Sequence, residues 1–500
     1  MGGMVSVKDI LDLMNSPSRE DRELIEGAYK FSKEAHEGQK RYSGDPYFIH
    51  PAKTAQSLAE LGMGPKTVAA GLLHDTLEDV DDISAKKIKE EFGEEVLFLV
   101  QGVTKLGHVR YKGATRHIES LRKLFVATSQ DIRVLIIKLA DRLHNMETLK
   151  YIPEEKQKRI AQETMEVYAP IAHRLRMGKM TGVLEDLAFP YIKPEEYKKT
   201  HALSKNRYKE SEVRLDKVYR RLKKELAENG FKDVKTDYRK KHLYSLWRKL
   251  KRKEMDIDRV YDILALRIIV PTIHDCYRVL GIIHSIWRPL PGRIKDYIAF
   301  PKPNGYQSIH TTIFTGDGGL AEIQIRTEKM HREAEYGIAP HVQHKRKGVK
   351  LLPLEWFKDL IPGLSPESEA EVGKEEEVPN WIKDLAEAQS EIDKPRELLN
   401  HLKTDYFENR IFVFTPKGDV IDLPAGSSPI DFAYQIHTDI GDHVSGAKVN
   451  SKLVSLDTTL SNGDIVEIET RKKSKPSQKW LNYAKTSFAR RKIRSALQKK

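Results

Sequence analysis

Residues 71–80 read GLLHDTLEDV: four ionisable side chains, His74, Asp75, Glu78 and Asp79, follow directly on an apolar run. Residues four apart on a helix share a face, so this spacing predicts His74 above Glu78 and Asp75 above Asp79. Carboxylates placed against a buried run are unfavourable without a partner, and a bound cation removes that penalty. A metal needs further ligands. His50 in PYFIHPAKTA is one candidate, and Asp141 in IIKLADRLHNM, again after an apolar helical run, is another. Together these residue types point to a metal site built from helices.

A second group lies further along. YRKKHLYSLWRKLKRK (238–253) brings Arg239, Lys241, Ser245, Arg248, Lys249 and Arg252 close together; taken by itself, the stretch reads equally as a solvated or RNA-facing basic helix. In LAEIQIRT, strand alternation turns Ala321, Ile323 and Ile325 to one side and Glu322, Gln324 and Arg326 to the other. That second face is expected to be polar and open. Asp262 precedes the almost wholly apolar strand candidate in VYDILALRIIV. Two carboxylates on a small sheet can hold Mg²⁺ through oxygen while the ion grips phosphates. Nearby cations then neutralise the charge that develops in phosphoryl-type transfer.

The elements that must position these residues fall into several domains, because 500 residues exceed one hydrophobic core. Residues 1–195 read as all-helical, in amphipathic stretches joined by short polar breaks. Residues 196–345 are mixed. A helix over about 207–229 leads to strand-like pieces, the last two flanking the hairpin signal TGDGG. Residues 346–405 hold the acidic stretch SPESEAEVGKEEEVPN, expected to be mobile, and then a helical pattern from WIKDL onward. A small β-rich module follows over 406–471, opening with the hairpin RIFVFTPKGDVIDLP. Residues 472–500 end the chain as a basic helix. The fold class is thus multidomain: an all-α domain, an α+β domain and a small β module.

Bulk numbers set limits on function. A net charge of +13 and a pI near 9.3 favour anionic partners such as nucleotides or RNA. One cysteine, Cys276, permits no intrachain disulfide and no cysteine-based zinc site, which fits a reducing cytoplasm. No apolar run approaches a membrane span, and MGGMVSVKDI lacks the apolar core of a secretory signal, so no membrane partner is expected.

His50, His74-Asp75 and Asp141 match the pattern of the HD phosphohydrolase superfamily. RYSGDPYFIHP, HDTLEDV, GVTKL and KLADRLHNMETL resemble the hydrolase domain of the RelA/SpoT (Rel) family of stringent-response enzymes. The resemblance implies a Mn²⁺ ion held by His50, His74, Asp75 and Asp141; the residue types alone admit Zn²⁺ or Fe²⁺ as well. Such an ion lowers the pKa of water, and Glu78 and Asp79 would orient or deprotonate that water. The implied reaction is hydrolysis of the 3′-pyrophosphate of ppGpp or pppGpp. Arg41, Ser43, Asn145 and Thr148 match substrate-contact positions. Tyr42 stands where many members carry a second basic residue, which implies a weaker grip on the pyrophosphate.

YDILALRI, GRIKDYIAFPKPNGYQSIHTT and EIQIRTEKMHREAEYG resemble the synthetase domain of the same family, a nucleotidyltransferase-like fold. They imply transfer of pyrophosphate from ATP to the 3′-hydroxyl of GTP or GDP, releasing AMP. Asp262 would bind Mg²⁺, and Glu322 would share the ion or act as base. Arg239, Lys241, Ser245 and Lys249 match ATP contacts. Lys302, Asn304 and His310 match the loop that meets the guanine nucleotide, and Tyr306 would stack on the base. RIKD (293–296) has the basic form that goes with bifunctional members. Residues 407–471 resemble a TGS domain of β-grasp fold, implying contact with uncharged tRNA on a stalled ribosome through His437. The regulatory end usual in the family does not follow, so the chain reads as a C-terminally truncated member. Antagonistic coupling of the two sites through about 150–200 is expected, since running both together would waste ATP. Two other readings stand beside this one: a ribosome- and tRNA-binding sensor with decayed catalysis, and an HD phosphohydrolase of other nucleotides.

Overall fold

A computed structural model describes residues 4–14, 16–80, 83–104, 124, 126–231, 234–302, 305–339, 382, 410–417 and 420–498. The chain divides into two compact units, 1–107 with 130–376, and 108–129 with 377–500. The acidic stretch, and all of the helix expected after it except Ile382, lie outside the described residues.

The first unit begins as helices: α1 (Val7–Asp12), α2 (Arg19–Ala35), α3 (Ile49–Glu60), α4 (Pro65–Leu73), α5 (Thr76–Asp79), α6 (Ala85–Val103) and α7 (Arg133–Glu147). Serines start three of them. Ser18 and Asp21 form a reciprocal capping box on α2, as Ser6 and Asp9 do on α1, and Ser84 caps α6. In α7 every residue from Val134 to Asp141 is buried. A helix apolar almost all round belongs in the core, and α7 packs there against α3 and α4.

The helix expected to run through His74 does not do so. α4 ends at Leu73, His74 and Asp75 form a turn, and α5 is a separate four-residue helix. Thr76, whose hydroxyl donates to the Leu73 carbonyl at 2.7 Å, satisfies the end of α4 in place of a continued backbone ladder.

Next come α8 (Glu154–Glu163), a π-turn over Thr164–Tyr168, α9 (Ala169–Arg174), α10 (Gly178–Ile192) and the 35-residue α11 (Pro194–Glu228). α11 starts well before the helix expected from about 207. Pro194 occupies its first turn, where a missing N–H does no harm, so it opens a helix rather than ending one.

A five-stranded sheet follows, with α12 (Leu243–Lys251), α13 (Ile273–Ile286) and α14 (Glu328–Tyr336). Its strands are β1 (Lys235–Lys240), β2 (Leu264–Val270), β3 (Lys295–Asp296), β4 (Ile309–Phe314) and β5 (Leu320–Thr327), in the order β1-β2-β5-β4-β3. Only β2 and β5 pair in parallel. The β4–β5 hairpin turns at TGDGG as expected, with Gly316 and Gly318 at positive φ. Leu266, Ile268, Ile309, Ile323 and Ile325 form the core with Val279 and Ile283 of α13 and Leu215 and Leu222 of α11. Residues 238–253 are not one basic helix. They finish β1, turn at Lys241–His242 and only then enter α12. The far face of β5 is polar but largely closed: Gln324 is wholly buried and Arg326 is 1% exposed. Arg326 pairs there with Glu335 of α14 at 3.0 Å, and Arg267 of β2 meets the same carboxylate at 3.2 Å.

The second unit contains the hairpin β6 (Arg410–Phe414) and β7 (Val420–Pro424), and a sheet of β8 (Val444–Val449), β9 (Lys452–Val454) and β10 (Val466–Thr470) in the order β10-β8-β9. A parallel bridge from Phe414 to Ile465 joins the two. Helices α15 (Pro429–Ile436) and α16 (Thr438–Asp442) cover them, followed by α17 (Trp480–Tyr483) and α18 (Ser487–Gln498). α18 is the basic helix expected at the end of the chain. It is no free appendage, because Ala489 and Ile493 share a core with Ile430 and Tyr434. The buried carboxylate of Asp431 accepts from the Lys485 and Thr486 amides at 3.0 and 2.7 Å. Among the described residues no helix is long and apolar enough to cross a membrane.

Candidate active sites

Three helical elements bring the first cluster together. His50 comes from α3, His74 and Asp75 from the turn after α4, and Asp141 from α7. His50 Nε2 lies 3.4 Å from Asp75 Oδ2 and 3.2 Å from Asp141 Oδ1; His74 Nε2 lies 3.3 and 3.9 Å from the same two oxygens. Ligand atoms of His50, His74 and Asp141 all fall within 4.8 Å of one another. Donor atoms about 2.1 Å from a divalent ion and at right angles sit about 3 Å apart, so this spacing suits one. The orientation of His74 supports the same fit. Its Nδ1–H donates to the Gly71 carbonyl at 2.8 Å, and its buried Nε2 has no hydrogen-bond partner. A ligand histidine held by its other nitrogen is the usual arrangement.

Electrostatics keep the carboxylates ionised. Burial pushes the Asp75 and Asp141 pKa values up. The histidines beside Asp75, and Lys138 with His50 beside Asp141, outweigh it and hold both well below the usual carboxylate range. Lys138, itself buried, donates to Asp141 Oδ2 at 2.7 Å and leaves Oδ1 facing the histidines.

The residues expected at the mouth converge in part. Asn145 Nδ2 donates to Asp141 Oδ1 at 2.5 Å, and Arg41 donates to Asn145 Oδ1 at 2.8 Å, so Arg41 is tied to the ligand shell through one amide. Thr148 caps α7, its hydroxyl donating to the His144 carbonyl at 2.9 Å. Ser43 lies on the loop before α3 and accepts from the Asp45 amide at 3.4 Å. Tyr42 is 67% exposed. Glu78 is half-buried on α5, one turn beyond His74-Asp75; the Asp79 side chain lies outside the described residues.

Besides Lys138, two residues of this cluster were missed by the sequence reasoning. Tyr47 donates its hydroxyl to Asp75 Oδ2 at 3.0 Å. His144 Nδ1 accepts from Arg41 at 3.0 Å, so that nitrogen carries no proton; His50 Nδ1, 2.8 Å away, is therefore the donor between the two rings. This leaves His50 Nε2 with its lone pair towards Asp75 and Asp141. Burial, with His50 and Arg41 nearby, pushes His144 down to about 3, which keeps it neutral. His144 stands three residues after Asp141, a spacing that puts both on one face of α7; Tyr47 lies in the turn just before α3.

The second cluster forms on the five-stranded sheet. Asp262 sits just before β2, and Glu322 on β5 is in register with Ala265 of β2. Lys241 and Lys249 both donate to Asp262, at 2.8 and 2.5 Å. Burial raises the Asp262 pKa, but the two ammonium groups overcome it and hold the carboxyl far below its ordinary value. Tyr306 donates to His310 Nε2 at 2.9 Å, which leaves the proton on Nδ1, 3.3 Å from Glu322. Glu322 also accepts from Gln324 at 2.8 Å. Lys302 Nζ lies 4.9 Å from the Tyr306 ring centre and 4.6 Å from that of Tyr297, an aromatic the sequence reasoning overlooked. Lys302 is pushed down by burial and by Arg239, Lys295 and Lys241, so the mouth is crowded with positive charge. Arg239 is exposed at the end of β1, and Ser245 is half-buried on α12. Asn304 lies outside the described residues.

In the second unit His437 is exposed between α15 and α16, where its Nδ1 accepts from the Asp439 amide at 3.2 Å and caps α16.

Family profiles match three stretches of the chain: an HD domain over 28–178, a region found in RelA / SpoT proteins over 238–349, and a TGS domain over 411–470. The chain is 47% identical over 498 residues to a guanosine-3′,5′-bis(diphosphate) 3′-pyrophosphohydrolase of Aquifex aeolicus, covering 99% of this chain and 68% of that protein. It is 44% identical over 478 residues to a GTP pyrophosphokinase of Myxococcus xanthus, covering 95% of this chain and 60% of that one. It is 43% identical over 472 residues to a probable guanosine-3′,5′-bis(diphosphate) 3′-pyrophosphohydrolase of Synechocystis, again covering 60% of the relative and 94% of this chain. The chain therefore spans about two thirds or less of the length of these relatives.

Proposed function

The chain belongs to the RelA/SpoT family, and from that membership we propose that it both makes and destroys ppGpp and pppGpp, at two separate sites. The observation that carries this reading is that Asp75 and Asp141 at one site, and Asp262 and Glu322 at the other, stand in surroundings that hold them ionised.

At the helical site His50, His74, Asp75 and Asp141 would hold Mn²⁺. When bound, the ion supplies Lewis acidity and lowers the pKa of water. This chain's residues do the rest. Glu78 and Asp79 accept the proton of the attacking water. Arg41, fixed by Asn145, and Ser43 meet the phosphates of the substrate, and Asn145 and Thr148 line its seat. The products are GDP or GTP and pyrophosphate.

At the sheet site Asp262 would hold Mg²⁺, which neutralises phosphate charge when present. Arg239, Lys241, Ser245 and Lys249 grip ATP. Lys302, Asn304 and His310 hold the guanine nucleotide against the ring of Tyr306, a stacking contact of about 1–3 kcal/mol by analogy with base–aromatic pairs. Glu322, oriented by His310 and Gln324, takes the proton of the 3′-hydroxyl as it attacks ATP, and AMP leaves.

The domain limits that go with this function are 1–195 for hydrolysis, 196–345 for synthesis, 346–405 as linker, 406–471 for the TGS module and 472–500 as a basic helical segment. The TGS module contributes His437 to contacts with uncharged tRNA and the ribosome, in the cytoplasm. The helices over 150–200 couple the two sites antagonistically.

The test is a two-arm assay on the unmutated chain. Supplied with ATP, GTP and Mg²⁺, it should yield pppGpp and AMP. Supplied with ppGpp and Mn²⁺, it should yield GDP and pyrophosphate, and faster than it hydrolyses plain nucleoside triphosphates. Silence in both arms with metals bound would reject the catalytic reading in favour of a sensor role.

A further inference from the structure

Helix α12, which carries Ser245 and Lys249, has no cap of its own. It follows His242, whose side chain makes no capping hydrogen bond to it. The first-turn amides of a helix have no acceptor within the helix. Here one comes from another element. Asp186 of α10 accepts from the Tyr244 amide through Oδ1 at 2.9 Å, while its Oδ2 pairs with His242 Nδ1 at 2.9 Å. One carboxylate thus holds both the residue before α12 and an amide of its first turn.

The rest of that α10 face is shaped for the same contact. Gly182, Glu185, Asp186 and Phe189 fall at spacings that share one side of a helix. A Cβ at Gly182 would collide with the His242 ring. Phe189 packs edge-on to Tyr244, with ring centres 5.2 Å apart, and lies 5.6 Å from Trp247. Glu185 approaches Arg248 at 4.0 Å.

We propose that Asp186 is a positioning residue for the ATP subsite: by capping α12 from a neighbouring helix, it fixes where Ser245 and Lys249 stand. The proposal rests on the reading of those two residues as ATP contacts. Without the cap the first turn frays. Ser245, on that turn, is displaced directly, and Lys249 loses the fixed base from which it meets Asp262.

The experiment compares the full chain with Asp186→Ala, Asp186→Asn and Gly182→Ala. It reads amide hydrogen exchange at Tyr244 and the dissociation constants of a non-hydrolysable ATP analogue and of GDP. Asp186→Ala should speed exchange at Tyr244 and weaken the ATP analogue by about 3- to 30-fold, the range a lost N-cap implies, with GDP affinity unchanged. Asn keeps an acceptor oxygen and should restore both readings. Gly182→Ala leaves the carboxylate in place but displaces His242, and should give the same ATP-selective loss even if Asp186→Ala fails to fold. Unchanged exchange at Tyr244, or equal weakening of both nucleotides, would overturn the cap. Lys249→Ala, measured alongside, separates the two ideas: if it leaves the ATP analogue bound as before while exchange at Tyr244 still responds to Asp186→Ala, the ATP assignment fails and the positioning proposal is overturned with it.

Discussion

His144 touches His50, a proposed metal ligand, without itself belonging to the proposed ligand set. It gives His50 an acceptor, and Arg41 guarantees that the acceptor lone pair is there. Replacing it with Leu should lower Mn²⁺ affinity by about 10- to 100-fold, the range seen when a partner of a ligand histidine is lost. Gln, whose amide oxygen can still accept, should recover much of it; titration calorimetry reads both. His74 sets the pH dependence. Burial lowers its pKa, but Asp75 and Asp141 more than offset that, so the net shift is upward from 6.5. In the metal-free protein the stability this contributes is fully present below 6.5 and is lost as pH rises through the raised value. Metal binding needs the neutral ring, so the opposite holds for the ion. The rise in melting temperature on adding Mn²⁺ should grow as pH increases across that window. At this scale the sequence was informative. A histidine, a His-Asp pair and an aspartate each followed or sat within an apolar helical run, and the burial penalty made a cation the natural partner. His144 and Lys138 were not legible, because one string cannot show which neighbour on the helical face turns towards a ligand on another helix.

At the level of elements, local signals predicted those pieces whose geometry local chemistry decides. The TGDGG hairpin formed because glycine supplies the positive φ its turn requires. The PKGD hairpin formed between β6 and β7. Elements decided by tertiary contacts were misread. The helix through His74 breaks because both side chains must face the cluster. The open face expected on β5 is closed by α14, whose Glu335 pairs with two buried arginines. This pairing is testable by substitution. Glu335→Ala leaves Arg267 and Arg326 without their shared acceptor, and breaking such a buried pair costs about 3–5 kcal/mol. The synthetase region's transition in urea should move to lower denaturant by a corresponding amount. A shift equivalent to well under 1 kcal/mol would show that Asp237, which already accepts from Arg267 at 2.9 Å, and water suffice without the carboxylate.

On the scale of the whole molecule, the two proposed catalytic regions, apart from residues 108–129, fall in one compact unit. Besides the side-chain contacts of α10 with α12, their seam includes a backbone contact. Ile338 donates to the Leu175 carbonyl at 3.0 Å, and a Cβ at Gly337, which has a φ of 61°, would collide with that same oxygen. The turn at Leu175–Met177 thus joins the helices of one region to the end of α14 in the other. Gly337→Ala should separate the unit's melting into two calorimetric transitions or lower a shared one by several degrees, because strain and collision act together. The sequence showed three regions and their chemistry, each with its own periodicity and motifs. It did not show this seam, since neither Leu175 nor Gly337 carries a signal of contact with a residue so distant in the chain.

The central claim is two chemistries at separate sites on one chain. The most direct measurement runs synthesis and hydrolysis side by side on the unmutated protein, Asp75→Ala and Asp262→Ala. Asp75→Ala should abolish release of pyrophosphate from ppGpp while pppGpp is still made. Asp262→Ala should abolish synthesis and leave hydrolysis intact. Loss of both activities in either variant, or survival of the targeted one, would contradict the account.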